Sequence, residues 1–116
     1  MNETSIRKEI QVALSGKNCR MFRNNVGEFH DEGKKIHIVY GLCPGSSDLI
    51  GWKTVTITPE MCGREIAIFF ACEVKKPDGK KPTPAQENFI AAVQSAGGIA
   101  FVAHSPEEAE NKIANI

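Results

Sequence analysis

Apolar residues near the N-terminus recur at helical spacing. Ile6, Ile10, Ala13 and Leu14 share one face, so Thr4 to Ser15 reads as an amphipathic helix with Gly16 as its stop. Cys-Arg-Met-Phe-Arg at 19–23 alternates loosely and predicts a first strand, closed by the turn residues Asn24-Asn25-Val26-Gly27. A polar loop is expected over 28–33, followed by an extended segment at Ile36-His37-Ile38-Val39-Tyr40.

Gly-Leu-Cys-Pro-Gly-Ser-Ser at 41–47 is a turn that delivers Asp48 to the start of the next strand. β-Branched residues over 54–58 are expected to extend that strand to residue 58. Pro59 to Arg64 then reads as a hairpin connection. Residues 65–75, with the apolar run Ile66 to Cys72, read as the strongest strand, apolar enough for the middle of a sheet. A Lys-Pro-Asp-Gly-Lys-Lys-Pro loop follows. Thr83-Pro84 is a helix start, with threonine as N-cap and proline in the first turn. Phe89, Ile90 and Val93 form that helix's apolar face, and Gly97-Gly98 ends it. Residues 99–103 predict a short buried strand, and Ser105-Pro106-Glu107-Glu108 opens a last helix carrying Ala109, Ile113 and Ile116.

The expected order is α-β-β-β-β-α-β-α. The last strand returns through a helix, which implies parallel pairing beside an antiparallel meander. The fold class is therefore α/β, a mixed central β-sheet flanked by helices, in one domain over 1–116.

Composition narrows the class. A 41% hydrophobic fraction over 116 residues suits one soluble globular domain. No apolar run reaches the roughly 20 residues that span a bilayer. Met1-Asn2-Glu3-Thr4-Ser5 lacks a signal-peptide core, so no membrane partner and a cytoplasmic location are expected. Cys19, Cys43, Cys62 and Cys72 show no Cys-x-x-Cys spacing, which argues for thiols rather than a structural zinc site. Cys72, in an apolar run, reads as a small core residue. His30, His37 and His104 are scattered and form no His-x-x-x-His pair. Fourteen basic and fourteen acidic residues cancel, which weighs mildly against nucleic-acid binding.

The chemistry concentrates in few residues. Glu73 and Lys75 are two apart on a strand, so they project from one face. Charges at the end of so apolar a run require a partner or a ligand. If strands 48–58 and 65–75 form a hairpin, antiparallel pairing brings Asp48 beside them. Two carboxylates then suit Mg²⁺ or Mn²⁺, with the Val74 carbonyl as a further oxygen, and the lysine suits phosphodiester hydrolysis. Gln86, one loop later, can reach the water or a phosphate, although a solvated first-turn residue looks the same in sequence. Lys76, Lys80 and Lys81 make a basic loop able to touch a phosphate backbone, and Arg23 can do likewise. Glu3 and Glu9 read first as surface residues of the opening helix.

Taken together, these residues resemble the virus-type replication-repair nuclease (VRR-NUC) group of the PD-(D/E)XK superfamily. The resemblance runs from Glu3 through Arg23-Asn24-Asn25-Val26-Gly27 and Gly45-Ser46-Ser47-Asp48-Leu49-Ile50-Gly51. It continues through Glu73-Val74-Lys75, Thr83-Pro84-Ala85-Gln86 and Ala96-Gly97-Gly98. Where the superfamily has Pro-Asp this chain has Gly-Ser-Ser-Asp, with Pro44 four residues before Asp48.

The resemblance implies a restriction-endonuclease-like fold with Mg²⁺ or Mn²⁺ held by Asp48, Glu73 and the Val74 carbonyl. Lys75 would be the catalytic lysine and Gln86 the family's glutamine. The family's first-helix glutamate falls on Glu3, with Glu9 as the alternative. The implied activity is a structure-selective DNA endonuclease leaving 5′-phosphate and 3′-hydroxyl ends. A stand-alone phage or bacterial member would resemble Holliday-junction resolvases, act as a homodimer and take branched or four-way-junction DNA. The alternatives are a less selective nuclease of flaps, nicks or duplex, and a catalytically idle DNA-binding module.

Overall fold

The computed structural model describes residues Asn2–Ala114; Ile116, expected on the last helix, lies outside them. The elements are α1 (Glu3–Ser15), β1 (Cys19–Arg23), β2 (Gly27–Asp31), β3 (Ile36–Tyr40), β4 (Leu49–Lys53), β5 (Phe70–Val74), α2 (Pro84–Ser95), β6 (Ile99–Ala103) and α3 (Pro106–Ala114). The chain is mixed α/β. It forms two compact units, Met1–Thr56 and Ile57–Ile116.

In the first unit, Asn2 caps α1 by accepting a hydrogen bond from the Ser5 amide at 2.9 Å. This satisfies one of the amides that a helix start leaves without a partner. Gly16 is the C-cap, but its φ is −98°; the left-handed residue is Asn18, at φ 59°. The Gln11 amide donates to the Met21 carbonyl at 3.2 Å and ties α1 to β1. β1 runs antiparallel to β4, with Met21 opposite Gly51. A Cβ on Gly51 would collide with the Arg20 carbonyl, so only glycine lets these two strands approach.

The second unit is built around a parallel pair. β5 and β6 run side by side, with Glu73 opposite Val102, and α2 makes the crossover between them as expected. Val93 on α2 and Ala100 and Ala103 on β6 are the buried apolar residues among those described. Gln94 strengthens the packing by donating to the Ala100 carbonyl at 2.8 Å. Gly97 turns the chain out of α2 at φ 96°, a conformation that costs other residues strain. At α3, Ser105 Oγ accepts from the Glu108 amide at 3.1 Å.

Four expectations are corrected. The polar stretch over 28–33 contains a strand: β2 pairs antiparallel with β3, Phe29 opposite Ile38. Residues 54–58 and 65–69 form no strand, so the hairpin expected between 48–58 and 65–75 is not what pairs these segments. β4 pairs with β1, and β5 with β6. Instead of one mixed sheet, the described residues form three two-stranded sheets, and β5 has a strand neighbour on one side only. Cys72 is exposed rather than a core residue; it alternates with the half-buried Ala71 and Glu73 along β5.

Candidate active site

In the first unit, Asp48 stands at the bend immediately before β4, and the loop that carries it is pinned by one residue. Asn24, at the end of β1, donates from its side-chain amide to Ser46 Oγ at 2.7 Å and to the Ser47 carbonyl at 3.0 Å. Its side-chain oxygen accepts from the Leu42 amide at 2.9 Å. Its backbone amide donates to the Asp48 carbonyl at 2.8 Å. Ser46 in turn donates to the Cys43 carbonyl at 2.7 Å. Asparagine suits this place because its amide offers both donors and an acceptor. The Asp48 carboxylate, exposed at the end of this network, has no hydrogen bond or ion pair among the described residues.

A cleft of about 210 Å³ opens at this point, lined by Glu3, Arg7, Arg23, Asn24, Ser46 and Asp48 among others. Glu3 of α1 therefore faces the same space as Asp48, whereas Glu9 is not among the lining residues. The combination is two carboxylates and two guanidinium groups in one polar cleft. Such a set offers hard oxygen donors to a divalent cation and bidentate donors to a phosphate. Arg23 lies exposed there, 3.5 Å from Asn25 Oδ1.

In the second unit, Glu73, Lys75 and Gln86 form one cluster. Glu73 and Lys75 share a face at the end of β5, their carboxylate oxygen and ammonium 3.8 Å apart. Gln86 donates from Nε2 to Glu73 Oε1 at 2.8 Å. The same amide accepts from the Thr83 backbone at 2.9 Å, and Thr83 Oγ1 accepts from the Gln86 amide at 3.2 Å, closing a capping box. Helix start and carboxylate are thus held by one side chain. Ala71, Glu73, Ala85, Gln86, Phe89 and Ile90 border a cleft of about 380 Å³. Lys75 is largely shielded, with 19% of its side chain exposed. Its backbone amide extends the parallel ladder to the Ala103 carbonyl at 3.1 Å. Val74 pairs with Ala103 in β5.

Lys76, Lys80 and Lys81 are exposed on the loop after β5. That loop is turned by Gly79 at φ 88° and held by the Asp78 carboxylate, which accepts from the Lys80 amide at 3.1 Å. The Lys side chains are left to solvent, the ordinary state of a loop able to meet an anionic polymer.

Sequence reasoning missed Arg7 and saw Asn24 only as a turn residue. Asparagine in a turn is a signal for a side chain bonded to nearby backbone. Its partners here lie 18 to 23 residues further on, beyond any local pattern. Of the histidines scattered along the sequence, His30 and His37 face each other across β2 and β3.

The family description that matches the chain is the VRR-NUC domain, over residues 2–107. No curated protein and no solved structure matches it.

Proposed function

The chain belongs to the VRR-NUC family, a family of nuclease domains, and from that premise we propose that it is a divalent-metal-dependent DNA endonuclease. The observation that carries the reading is the Glu73, Lys75 and Gln86 cluster at the end of β5. A carboxylate, a shielded ammonium and an amide meet there. By resemblance to the family, and not from a distance between them, Asp48 and Glu73 are the proposed carboxylate ligands, with the Val74 carbonyl and Glu3 as further oxygens. Their chemistry fits: hard oxygen donors suit Mg²⁺ or Mn²⁺, and Asp48 has no competing partner among the described residues. When bound, such an ion polarises a phosphodiester and lowers the pKa of water.

The chain's own residues do the rest. Gln86 holds the Glu73 carboxylate in one orientation and occupies one of its acceptor sites. Lys75 places a positive charge where negative charge builds on the phosphoryl oxygens. Arg23, Lys76, Lys80 and Lys81 meet the phosphate backbone and position DNA without reading its bases. Selectivity for branched DNA and action as a homodimer extend the same reading. Two symmetric copies would suit a four-way junction, since one domain of this size offers little surface for it.

The test is cleavage of a labelled four-way junction and a matched linear duplex by wild type and Lys75→Ala, each with Mg²⁺, Mn²⁺ or EDTA. Paired cuts in the junction alone, requiring metal and lost in the variant, support the full reading. Metal-dependent cleavage of both substrates would reduce it to a less selective nuclease. Metal-independent DNA binding without cleavage by folded wild type would replace it with an idle binding module.

A further inference from the structure

The β2–β3 hairpin carries a second cluster of ligand-type side chains. Glu28 and His30 are two residues apart on β2 and share a face, and the register sets His37 of β3 directly opposite His30. The three side chains therefore meet by strand geometry. Glu28 Oε2 lies 3.1 Å from His30 Nε2 and 3.4 Å from His37 Nε2. The two rings stack with centroids 4.1 Å apart and planes 14° from parallel. One donor atom from each residue falls within 4.8 Å of the others.

We infer that Glu28, His30 and His37 form a binding site for one borderline transition-metal cation of the Zn²⁺ or Ni²⁺ type. Two imidazole nitrogens and one carboxylate oxygen make a donor set that favours such ions over Mg²⁺. His30 Nε2 is hydrogen-bonded to Glu28 Oε2 at 3.1 Å, the contact that a cation would replace. To bind, each neutral ring carries its proton on Nδ1 and turns its Nε2 lone pair inward. The stacked rings must splay for this, since nearly parallel planes do not converge on one point. Both imidazoles are more than half exposed, so rotation meets little packing. His30 and His37 also border an open cleft of about 330 Å³, with room for water to complete the coordination. The ion would clamp β2 to β3, and none of its three ligands is among the proposed nuclease residues.

Untagged protein is titrated with Zn²⁺ in millimolar Mg²⁺ while the imidazole ¹⁵N resonances of all three histidines are followed. The expected result is saturation at one ion per chain. The Nε2 resonances of His30 and His37 should shift while those of His104 stay put, and the melting temperature should rise. In His37→Ala, with its fold checked by circular dichroism, the His30 shift and the thermal gain should both be lost. Unmoved His30 and His37 resonances in wild type would overturn the inference. So would zinc binding that His37→Ala leaves intact, which would assign the ion to the thiols. Cleavage activity plays no part in the readout.

Discussion

Gln86 donates a 2.8 Å hydrogen bond to Glu73 Oε1 while its own amide oxygen accepts from the backbone of Thr83. One side chain thus joins the first turn of α2 to the carboxylate on β5, so the orientation of Glu73 depends on how that helix begins. Two substitutions separate the roles. Thr83→Ala removes the hydroxyl cap and should cost about 1 kcal/mol of stability, with cleavage retained. Gln86→Glu keeps an acceptor for Thr83 but replaces the donor to Glu73 with a like charge. If Glu73 holds the proposed metal, cleavage should then fall about 10- to 100-fold, the scale for loss of a group that orients a metal ligand. Melting curves and initial cleavage rates measured together decide it; equal loss of cleavage in both variants would assign the effect to the helix start.

Lys75→Ala should lower the cleavage rate about 10²- to 10³-fold, the scale for removing one group that stabilises transition-state charge. The fold should survive, because the ion pair of Lys75 with Glu73 is long, at 3.8 Å. Single-turnover rates with DNA affinity measured in parallel would distinguish a chemical role from a binding one.

Asn24→Ala removes three side-chain hydrogen bonds from the loop that carries Asp48. A loss of about 1 to 3 kcal/mol is expected. Hydrogen exchange should quicken at the Leu42 amide, whose partner is the missing side-chain oxygen. Asn24→Asp, which keeps that acceptor but loses the donors to Ser46 and Ser47, should protect Leu42 while still weakening the loop.

Gly51→Ala places a methyl group against the Arg20 carbonyl. Because the obstacle is backbone in a paired strand, β1 and β4 must separate. A destabilisation of about 2 kcal/mol or more is expected by denaturant titration. Ser47→Ala, a nearby change in an exposed side chain, serves as the control.

Glu108 should give the chain a measurable acid sensitivity. The His104 backbone amide and then its imidazole hydrogen-bond to the carboxylate, and Lys112 sits 3.3 Å away. These contacts lower its pKa from 4.5 to about 2. A depressed carboxylate pKa favours the folded state above the ordinary value, and that contribution disappears as pH falls through the folded one. The difference in melting temperature between wild type and Glu108→Gln should therefore be largest above pH 4.5 and vanish towards pH 2. A difference that grew on acidification would refute the assignment.

Local chemistry is legible in the order of the residues alone. The helix starts at Thr83 and Ser105, the exit at Gly97, the strands at 19–23, 36–40 and 99–103, and the parallel return through α2 all follow from capping, turn and periodicity rules. These are short-range effects, set within a few residues. Strand alternation likewise suffices to put Glu73 and Lys75 on one face. What periodicity could not decide was pairing. The β-branched stretch 54–58 has strand propensity yet forms no strand, while the polar segment 27–31 does, because β3 supplies a hydrogen-bonding partner for its backbone. Asn24 bracing the Asp48 loop, Gln86 turning from solvent to Glu73, and His30 meeting His37 are all contacts between residues 7 to 23 positions apart. Residue order sets which groups the chain carries and the local elements that bear them. Tertiary structure alone decided which of those groups meet, since register and loop closure depend on backbone partners that no local pattern names.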